Sequence, residues 1–349
     1  MMNTTKLAVL AIDLAKEVFQ LHGVDERGKA VLKKKLRRSE LLAFVANVPQ
    51  CIIAMEACGG AHYWAREFQK QGHTTKLISP QFVKPFVKSN KNDANDAEAI
   101  AEAAMRPSMR FVPVKPISNQ DIQNIHRVRQ RLVGNRTALS NEIRGLLQEY
   151  GIILPKSINK LMKLLPPILD NSNEHRLSPM SIRLFRQLTE ELQSIEKEVK
   201  KYDQELAAVF QANEAAQRIE KIEGIGVITA TAMIAAVSDP NAFKNGREFS
   251  AWLGLVPRQD SSGGKTTLKG ISKRGDVYLR TMLINGARAA LRVAPLKSDP
   301  RSKWATEKIK TRGFNKACVA LANKNARVIW ALLAKSQDYK LMNTEAIAA

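Results

Sequence analysis

Short hydrophobic runs alternate with amphipathic stretches over roughly the first 110 residues. Runs with the length of buried strands lie at 7–12, 17–24, 30–36, 51–55 and 74–78. Stretches with helical spacing lie at about 39–45, 61–71 and 95–105. This order predicts an α/β domain over residues 1–115, in which three strands form an antiparallel meander before the helical crossovers begin.

The pattern changes to long helices over residues 116–215. In the second half of this segment, hydrophobic residues recur at alternating spacings of four and three, the a/d pattern of a coiled coil. They are Leu188, Leu192, Ile195, Val199, Tyr202, Leu206 and Val209. A second long helix is predicted over 122–150, and prolines at 155, 166 and 167 separate the two helices. We expect a helical hairpin arm that carries dimer contacts, with a helical bundle packed against the core as the alternative.

The third segment, residues 216–340, is predicted to be a small, mainly helical, basic domain. Its start at 219–237 has the pattern of a short helix, a Gly224-Ile225-Gly226 turn and a helix of small residues. This pattern resembles a helix-hairpin-helix, in which backbone N–H groups at a helix start meet a phosphate. A plain glycine-containing turn is the alternative.

The chain is strongly basic, because 55 Lys and Arg against 33 Asp and Glu give a net charge of +22. Residues 258–316 alone hold fifteen Lys and Arg against four acids, a net charge of +11. Such clustering indicates a surface that follows a polyanion, most simply nucleic acid. The three cysteines have no metal-ligand spacing, and no hydrophobic run is long enough to span a bilayer. We therefore expect a soluble, cytoplasmic protein with no membrane partner.

Four carboxylates mark the ends of predicted elements in the first segment. Asp13 and Glu56 each close a strand-length hydrophobic run, and Asp93 and Asp96 lie three residues apart where a helix begins. Carboxylates gathered at one end of a sheet repel one another unless a cation neutralises them, and Mg²⁺ suits a site made only of oxygen atoms. Together the acids predict two Mg²⁺ ions about 4 Å apart acting on a phosphodiester. Any one of them alone is more simply a helix cap or a surface residue.

A glycine-rich loop, SSGGK at 261–265, is the second candidate site. A serine hydroxyl beside glycine can approach a phosphate closely, and Lys265 can offset the phosphate charge. Attack by such a serine on phosphorus would give a phosphoserine that conserves the bond energy for rejoining strands. From the residues alone, an ordinary flexible turn is the preferred interpretation, with a phosphate-cradling loop and a catalytic serine as alternatives.

Motifs in both halves of the chain resemble the insertion-sequence transposases of the 110 family, and they are most similar to the 1111 subgroup. The matching segments are AIDLAKEVFQLHGVD, MEACGG, NKNDANDAEAIAEA, EGIGVITATAMIAAVSDPNAF and FSAWLGLVPRQDSSGGKTTLKGISKRGDVYLRTMLINGARAAL. The resemblance implies a catalytic serine, which we assign to Ser262 with Ser261 as the alternative. It also implies a RuvC-like, ribonuclease H-like fold for 1–115, with the metal-binding and catalytic acids Asp13, Glu56, Asp93 and Asp96.

The resemblance further implies a transposase or recombinase that cuts and rejoins DNA and is associated with the nucleoid when active. Family members are similar in using an element-encoded RNA that pairs with donor and target DNA, so we expect DNA, a guide RNA and a homo-oligomer (dimer or tetramer). A metal-dependent DNA junction nuclease that uses water as the nucleophile is the alternative function, and a non-catalytic nucleic-acid scaffold is a third. The residues expected to contact phosphates are Lys265, Lys269, Lys273, Arg274 and Arg280.

Overall fold

A computed structural model describes residues 7–88, 92–171 and 177–339. The chain divides into two compact units, residues 1–116 and 117–349. The first unit ends close to the end of the predicted α/β domain. The second unit contains both the predicted arm and the predicted basic domain, and their division at residue 215 stays a prediction.

The first unit is built on a mixed sheet. Its strands are β1 (Val9–Asp13), β2 (Val18–Val24), β3 (Ala30–Arg37), β4 (Ile52–Glu56), β5 (Thr74–Ile78) and β6 (Phe111–Val112). Their order across the sheet is β3-β2-β1-β4-β5-β6. β2 pairs antiparallel with β1 and β3, β4 pairs parallel with β1 and β5, and β6 pairs antiparallel with β5. The α/β layout with an antiparallel start is therefore present, and it is compatible with a ribonuclease H-like fold.

Helices cover both faces of this sheet. They are α1 (Arg38–Ala46), α2 (Ala61–Lys70), α3 (Pro80–Val83) and α4 (Asp93–Ala104). Leu10 and Met55 belong to a core formed with α1 and α2, whereas Ala11 and Ala54 belong to a second core formed with α4. Successive residues of a strand point to opposite faces, so a strand covered on both faces is hydrophobic throughout.

Two short elements of the first unit lack a sequence signal. β6 has only two residues, so no alternation can be recognised in it. α3 begins at Pro80, where the sequence predicts only the end of β5. Proline suits the first position of a helix because the N–H that it lacks has no intrahelical partner there.

The second unit is mainly helical. Its helices are α5 (Ile117–Gln148), α6 (Ile158–Asp170), α7 (Pro179–Gln211), α8 (Glu214–Glu220), α9 (Val227–Ala236), α10 (Gly246–Trp252), α11 (Val277–Val293), α12 (Pro300–Arg312) and α13 (Phe314–Lys335), and its strands are β7 (Pro257–Ser262) and β8 (Lys265–Ile271). α5 and α7 pack on each other around Ile143 and Leu192. The two long predicted helices are present, whereas their assembly as a coiled-coil arm stays a prediction. In the part of the chain that the structure describes, no helix is long and apolar enough to cross a membrane.

Two prolines that are expected to break the chain, Pro166 and Pro167, instead lie inside α6. Proline within a helix costs about 3 kcal/mol, because it removes a backbone hydrogen bond and its ring crowds the preceding turn. Leu161, Leu165 and Leu169 of the same helix are buried in the core shared with α5 and α7. Each buried leucine contributes about 1.5–3 kcal/mol, so the three together offset the cost of the prolines.

The predicted helix-turn-helix at 219–237 corresponds to α8, a turn and α9. Gly224 in the turn has φ +87°, and a Cβ there would lie 2.5 Å from the carbonyl oxygen of Gly286 in α11. Both positions require glycine because the two backbones are in direct contact. Phosphate binding by this turn stays a prediction.

Candidate active site

Asp13 and Glu56 lie side by side at the carboxyl ends of two central strands. β1 and β4 are parallel, and their register pairs Ala11 with Ala54. Asp13 and Glu56 each follow their alanine by two residues, so both side chains point to the face that α4 covers. Adjacent strands are about 4.8 Å apart, so the two carboxylates are neighbours, and both residues are partly buried.

The thiol of Cys58 lies near enough to both carboxylates to be affected by their charges. Burial raises the pKa of its thiol, and the negative charges of Glu56 and Asp13 raise it further. Its Sγ donates to the carbonyl oxygen of Gly59 at 3.7 Å. A thiol with a raised pKa stays protonated at neutral pH, so Cys58 is not an activated nucleophile.

The amino end of α4 lies at the same end of the sheet as the acid pair. Past the other end of this helix, the Met105 sulfur lies beside Gly28 in the turn between β2 and β3, 3.6 Å from where a Cβ of Gly28 would be. That turn adjoins the start of β1. The helix therefore runs from the Asp13 end of the sheet towards the start of β1, and its first turn carries Asp93 and Asp96.

The two acids of this first turn have different surroundings. Asp96 is partly buried, and Ile100, one turn later, is buried in the core against the sheet, so Asp96 lies on the sheet-facing side. Asp93 is exposed. The Asn92 side chain caps the helix by accepting a hydrogen bond from the backbone N–H of Asn95 at 2.8 Å. The helix dipole favours negative charge at this end.

The structure brings together two of the predicted acids as a pair and does not gather all four into one cluster. Across residues 7–88, 92–171 and 177–339, no group of three or more His, Cys, Asp or Glu side chains is close enough to hold a metal ion. Mutual repulsion of carboxylates opposes a tighter cluster. Mg²⁺ is commonly held by one or two carboxylates together with phosphate oxygens of the substrate, so the hard oxygen donors of Asp13 and Glu56 fit such an ion. A site with two Mg²⁺ ions stays a prediction.

Sequence reasoning missed a polar neighbour of the acid pair, Gln20. It is the antiparallel partner of Asp13 on β2, and paired residues project to the same face of a sheet. Its side-chain amide can donate to a carboxylate or to a substrate phosphate. The signal that places Gln20 there is the alternation of β2, in which it lies between the buried residues Phe19 and Leu21.

The serine loop is the tip of a β-hairpin, where the residues alone favour a flexible turn. β7 and β8 pair antiparallel, and Gly263-Gly264 connects them with φ values of 54° and 77°. Two consecutive positive φ values are typical of a type I′ turn, whose twist matches that of the flanking strands. Every residue of β7 is exposed, so no hydrophobic alternation marks this hairpin in the sequence.

The hairpin gives its two serines different neighbours. Ser262 pairs across the strands with Lys265, whereas Ser261 pairs with Thr266. Cβ atoms of paired residues are about 5 Å apart on one face, so the Lys265 ammonium can reach a phosphate held at Ser262. The Ser261 hydroxyl accepts a hydrogen bond from Gln259 Nε2 at 2.7 Å. These contacts favour Ser262 as a nucleophile, and its role stays a prediction.

Two glycines fix the base of the hairpin against the end of α10. Gly254 has φ +72°, and a Cβ there would lie 2.0 Å from the carbonyl oxygen of Arg274. Gly275 has φ +91°, and a Cβ there would lie 2.0 Å from the carbonyl oxygen of Trp252. The backbone N–H of Lys273 also donates to the carbonyl of Gly254 at 3.2 Å. Direct backbone contact therefore positions the loop that follows β8.

Four of the residues expected to contact phosphates are exposed on the hairpin or in this loop. Lys269 forms an ion pair with Asp260 on the neighbouring strand, which reduces its net charge towards a ligand. Lys265 lies near the tip of the ribbon, whereas Lys273 and Arg274 lie at its base. This spacing suits an extended chain of phosphates better than a single phosphate. The four are Lys265, Lys269, Lys273 and Arg274.

Arg280 does not fit its predicted role as a phosphate contact. The residue is only 8% exposed, and its Nη1 donates to the carbonyl oxygens of Leu253 at 3.3 Å and Arg274 at 3.4 Å. Several donors on one guanidinium allow a single arginine to hold carbonyls from separate turns. Arg280 therefore supports the loop that follows β8 from beneath.

Comparison with known proteins finds two transposase family models that match this chain. Residues 10–152 match a transposase family model of the DEDD type, and residues 216–302 match the model described as "Transposase IS116/IS110/IS902 family". The chain is 49% identical to a probable family 20 transposase of Pseudomonas aeruginosa, over 96% of this chain and 99% of that protein.

Two further relatives also align over most of their length. The transposase for insertion sequence element IS1111A of Coxiella burnetii is 50% identical, over 96% of this chain and 92% of that protein. The transposase for insertion sequence element IS1328 of Yersinia enterocolitica is 41% identical, over 93% and 96% respectively. The predicted resemblance is thereby confirmed, and the chain belongs to the IS116/IS110/IS902 family of insertion-sequence transposases.

Proposed function

We propose that this transposase cuts and rejoins DNA with two sites, the carboxylates at the end of the central sheet and Ser262 at the hairpin tip. The observation that carries the proposal is the in-register placement of Asp13 and Glu56 at the ends of parallel strands, at the end of the sheet where α4 begins. Membership of a transposase family supports DNA as the substrate.

The carboxylates would hold a divalent cation, with Mg²⁺ as the expected ion. Such an ion, when bound, neutralises phosphate charge and polarises the phosphodiester. Asp13 and Glu56 are held in place because the residues before them, Ile12 and Met55, are fully buried. The first turn of α4 supplies further carboxylates, Asp93 and Asp96, at the same end of the sheet.

Ser262 acts as the nucleophile of strand exchange. A bond forms between its Oγ and phosphorus as the bond from phosphorus to the 3′ oxygen breaks. The hydroxyl proton passes to solvent at the exposed tip, and the departing 3′ oxygen takes up a proton. Lys265 offsets the charge of the phosphate. The 3′ hydroxyl of a partner strand then attacks the phosphoserine, which joins the strands and restores the serine.

An RNA encoded by the element supplies sequence recognition by pairing with donor and target DNA. The net charge of +22 and the exposed cations of the hairpin support a protein that reads phosphate backbones. α5 and α7 join subunits into a dimer or tetramer, so that both sites act on one set of strands. Sequencing the nucleic acid that copurifies with the protein tests this part: a discrete transcript from DNA flanking the gene supports guidance, and no enriched RNA favours direct recognition.

A covalent protein–DNA adduct tests the serine chemistry. We expect the wild type and Ser261→Ala to form an adduct that survives denaturation, and Ser262→Ala to form none. An adduct that disappears only in Ser261→Ala would transfer the role to Ser261. Strand cleavage without any adduct would favour the alternative function, a metal-dependent DNA junction nuclease in which water attacks.

A further inference from the structure

The outer strand β3 carries basic side chains on the same face of the sheet as the acid pair. Leu32 and Leu36 of β3 pack in the core shared with α1 and α2. Lys33 and Lys35 alternate with them and therefore point to the opposite face, where both are exposed. The acid pair is on this opposite face too, because Asp13 alternates with residues of β1 that belong to the α1–α2 core.

Strand register places Lys35 in line with the acids. Lys35 pairs with Gln20, and Gln20 pairs with Asp13. Glu56 is the neighbour of Asp13 on β4, so one row across the sheet contains Lys35, Gln20, Asp13 and Glu56. With strands about 4.8 Å apart, the Cα of Lys35 lies about 10 Å from that of Asp13. At that distance, a lysine side chain can contact the phosphate that neighbours, along the same strand, a phosphate bound at Asp13 and Glu56.

Among the residues that the structure describes, no acid forms an ion pair with Lys33 or Lys35. The acids Glu98 and Glu102 of α4 are instead paired with Lys88. Two ammonium groups therefore remain available to an anionic partner on the face of the acid pair.

Protection of an outer strand is the competing explanation for these lysines, because charged residues prevent sheets from pairing edge to edge. Charge of either sign on either face serves that purpose, and Lys34, which lies 4.6 Å over the Phe44 ring on the other face, already contributes it. Edge protection does not require alignment with the acids or a positive sign. A phosphodiester backbone requires both.

We propose that Lys33 and Lys35 bind the phosphate backbone of the DNA strand that is cut at the acid pair, so that β3 guides this strand to Asp13 and Glu56. The inference rests on the proposed function for the chemistry at the acids. The proposed occupant of the Lys33–Lys35 surface is DNA. The crosslinking experiment below distinguishes DNA from RNA at this surface.

Charge reversal on β3, compared with a matched reversal elsewhere on the β2–β3 hairpin, tests this surface. Lys33→Glu/Lys35→Glu and Arg27→Glu/Lys29→Glu change the net charge equally and leave the edge charged, but Arg27 and Lys29 lie in the exposed turn of the hairpin. Full-length protein is titrated with mixed-sequence DNA in EDTA at about 0.1 M salt. We expect at least ~10-fold weaker binding for the first variant and a change within about 2-fold for the second. Equal losses in both variants, or a loss in neither, would overturn the proposal.

Crosslinking from defined positions shows whether DNA or RNA lies on β3, and it separates that question from the question of cleavage. A photo-crosslinking benzoylphenylalanine replaces Lys35 or Lys29 in the full chain, and each protein is incubated with DNA or with RNA of the same sequence. We expect DNA crosslinks from position 35 and none from position 29. Crosslinks from position 35 to RNA alone would overturn the assignment to DNA. DNA crosslinks from position 35, together with no cleavage by the wild-type protein, would support the surface and count against the proposed chemistry.

Discussion

The two candidate sites are held in place by different means. The acid pair follows strands that are buried on both faces, with Ile12 and Met55 fully buried. Ser262 lies at the tip of a two-stranded ribbon whose residues are almost all exposed, and the ribbon is fixed at its base by the backbone contacts of Gly254 and Gly275. Core packing therefore positions the carboxylates, whereas turn geometry and a few backbone contacts position the serine.

Removal of one carboxylate charge should have the largest effect on DNA cleavage. Asp13→Asn and Glu56→Gln keep the side-chain shape and remove the negative charge that a divalent cation needs, so cleavage should fall at least ~10²-fold. The control is Asp25→Asn in the β2–β3 turn, where the side-chain oxygen accepts backbone hydrogen bonds that asparagine can also accept. Cleavage rates in Mg²⁺, with circular dichroism as the check on folding, measure the effect. Full activity in either acid variant would remove the pair from the chemistry.

An added methyl group at the base of the β7–β8 hairpin tests whether close backbone contacts hold the serine site in place. Gly254→Ala places a Cβ 2.0 Å from the Arg274 carbonyl oxygen at φ +72°, so the free energy of unfolding of the second unit should fall by about 3 kcal/mol. Gly270→Ala is the matched control in β8, because no heavy atom lies within 4 Å of its added Cβ. Its effect should stay below about 1 kcal/mol. Denaturant unfolding compares the two, and equal effects would contradict a base fixed by close backbone contact.

The acid pair is easier to recognise in the sequence than the serine hairpin, for a physical reason. Burial of β1 and β4 requires hydrophobic runs, and Asp13 and Glu56 are conspicuous where those runs end. β7 has the sequence PRQDSS and buries nothing, so its pairing depends on the Gly-Gly turn and leaves no periodic pattern. The sequence does not distinguish Arg280 from its exposed basic neighbours. The carbonyl groups that accept its hydrogen bonds belong to other turns, and the linear pattern does not show that they lie next to it.

Strand register is a second kind of information that the linear pattern does not contain. The run KKK at 33–35 indicates only a basic segment. Pairing of β2 with β3 and of β1 with β2 is what aligns Lys35 with Gln20 and Asp13. Similarly, the spacing of Asp93 and Asp96 places them in one helical turn but does not fix how far α4 holds them from the acid pair.

Acid should destabilise the second unit through His126. This buried histidine contacts the Tyr278 hydroxyl through Nδ1 at 3.0 Å and the Thr231 hydroxyl through Nε2 at 3.1 Å. Burial, with a smaller contribution from the charge of Arg129, lowers its pKa to about 4. The unfolded chain takes up the proton near pH 6.5, so the stabilisation is complete above that pH and is lost as the pH falls towards 4. The loss should reach about 3 kcal/mol.

The difference between wild type and His126→Gln isolates this contribution, because other histidines remain in both proteins. The free energy of unfolding, measured in urea from pH 4 to 7, should depend less steeply on pH in the variant. The wild type should be the more stable protein above pH 6.5, and the difference should shrink in acid. Parallel pH profiles for the two proteins would contradict a neutral, buried His126.

The smallest expected effect concerns the turn at the tip of the hairpin. Gly263 has φ +54°, and no heavy atom lies within 4 Å of an added Cβ, so Gly263→Ala meets a conformational cost of about 1 kcal/mol and no clash. If turn geometry positions Ser262, adduct formation should slow about 5-fold, with little change in global unfolding. Gly263→Asn should recover most of the rate, because asparagine tolerates positive φ at this position of a type I′ turn. An unchanged rate in Gly263→Ala would mean that the base contacts alone position the serine.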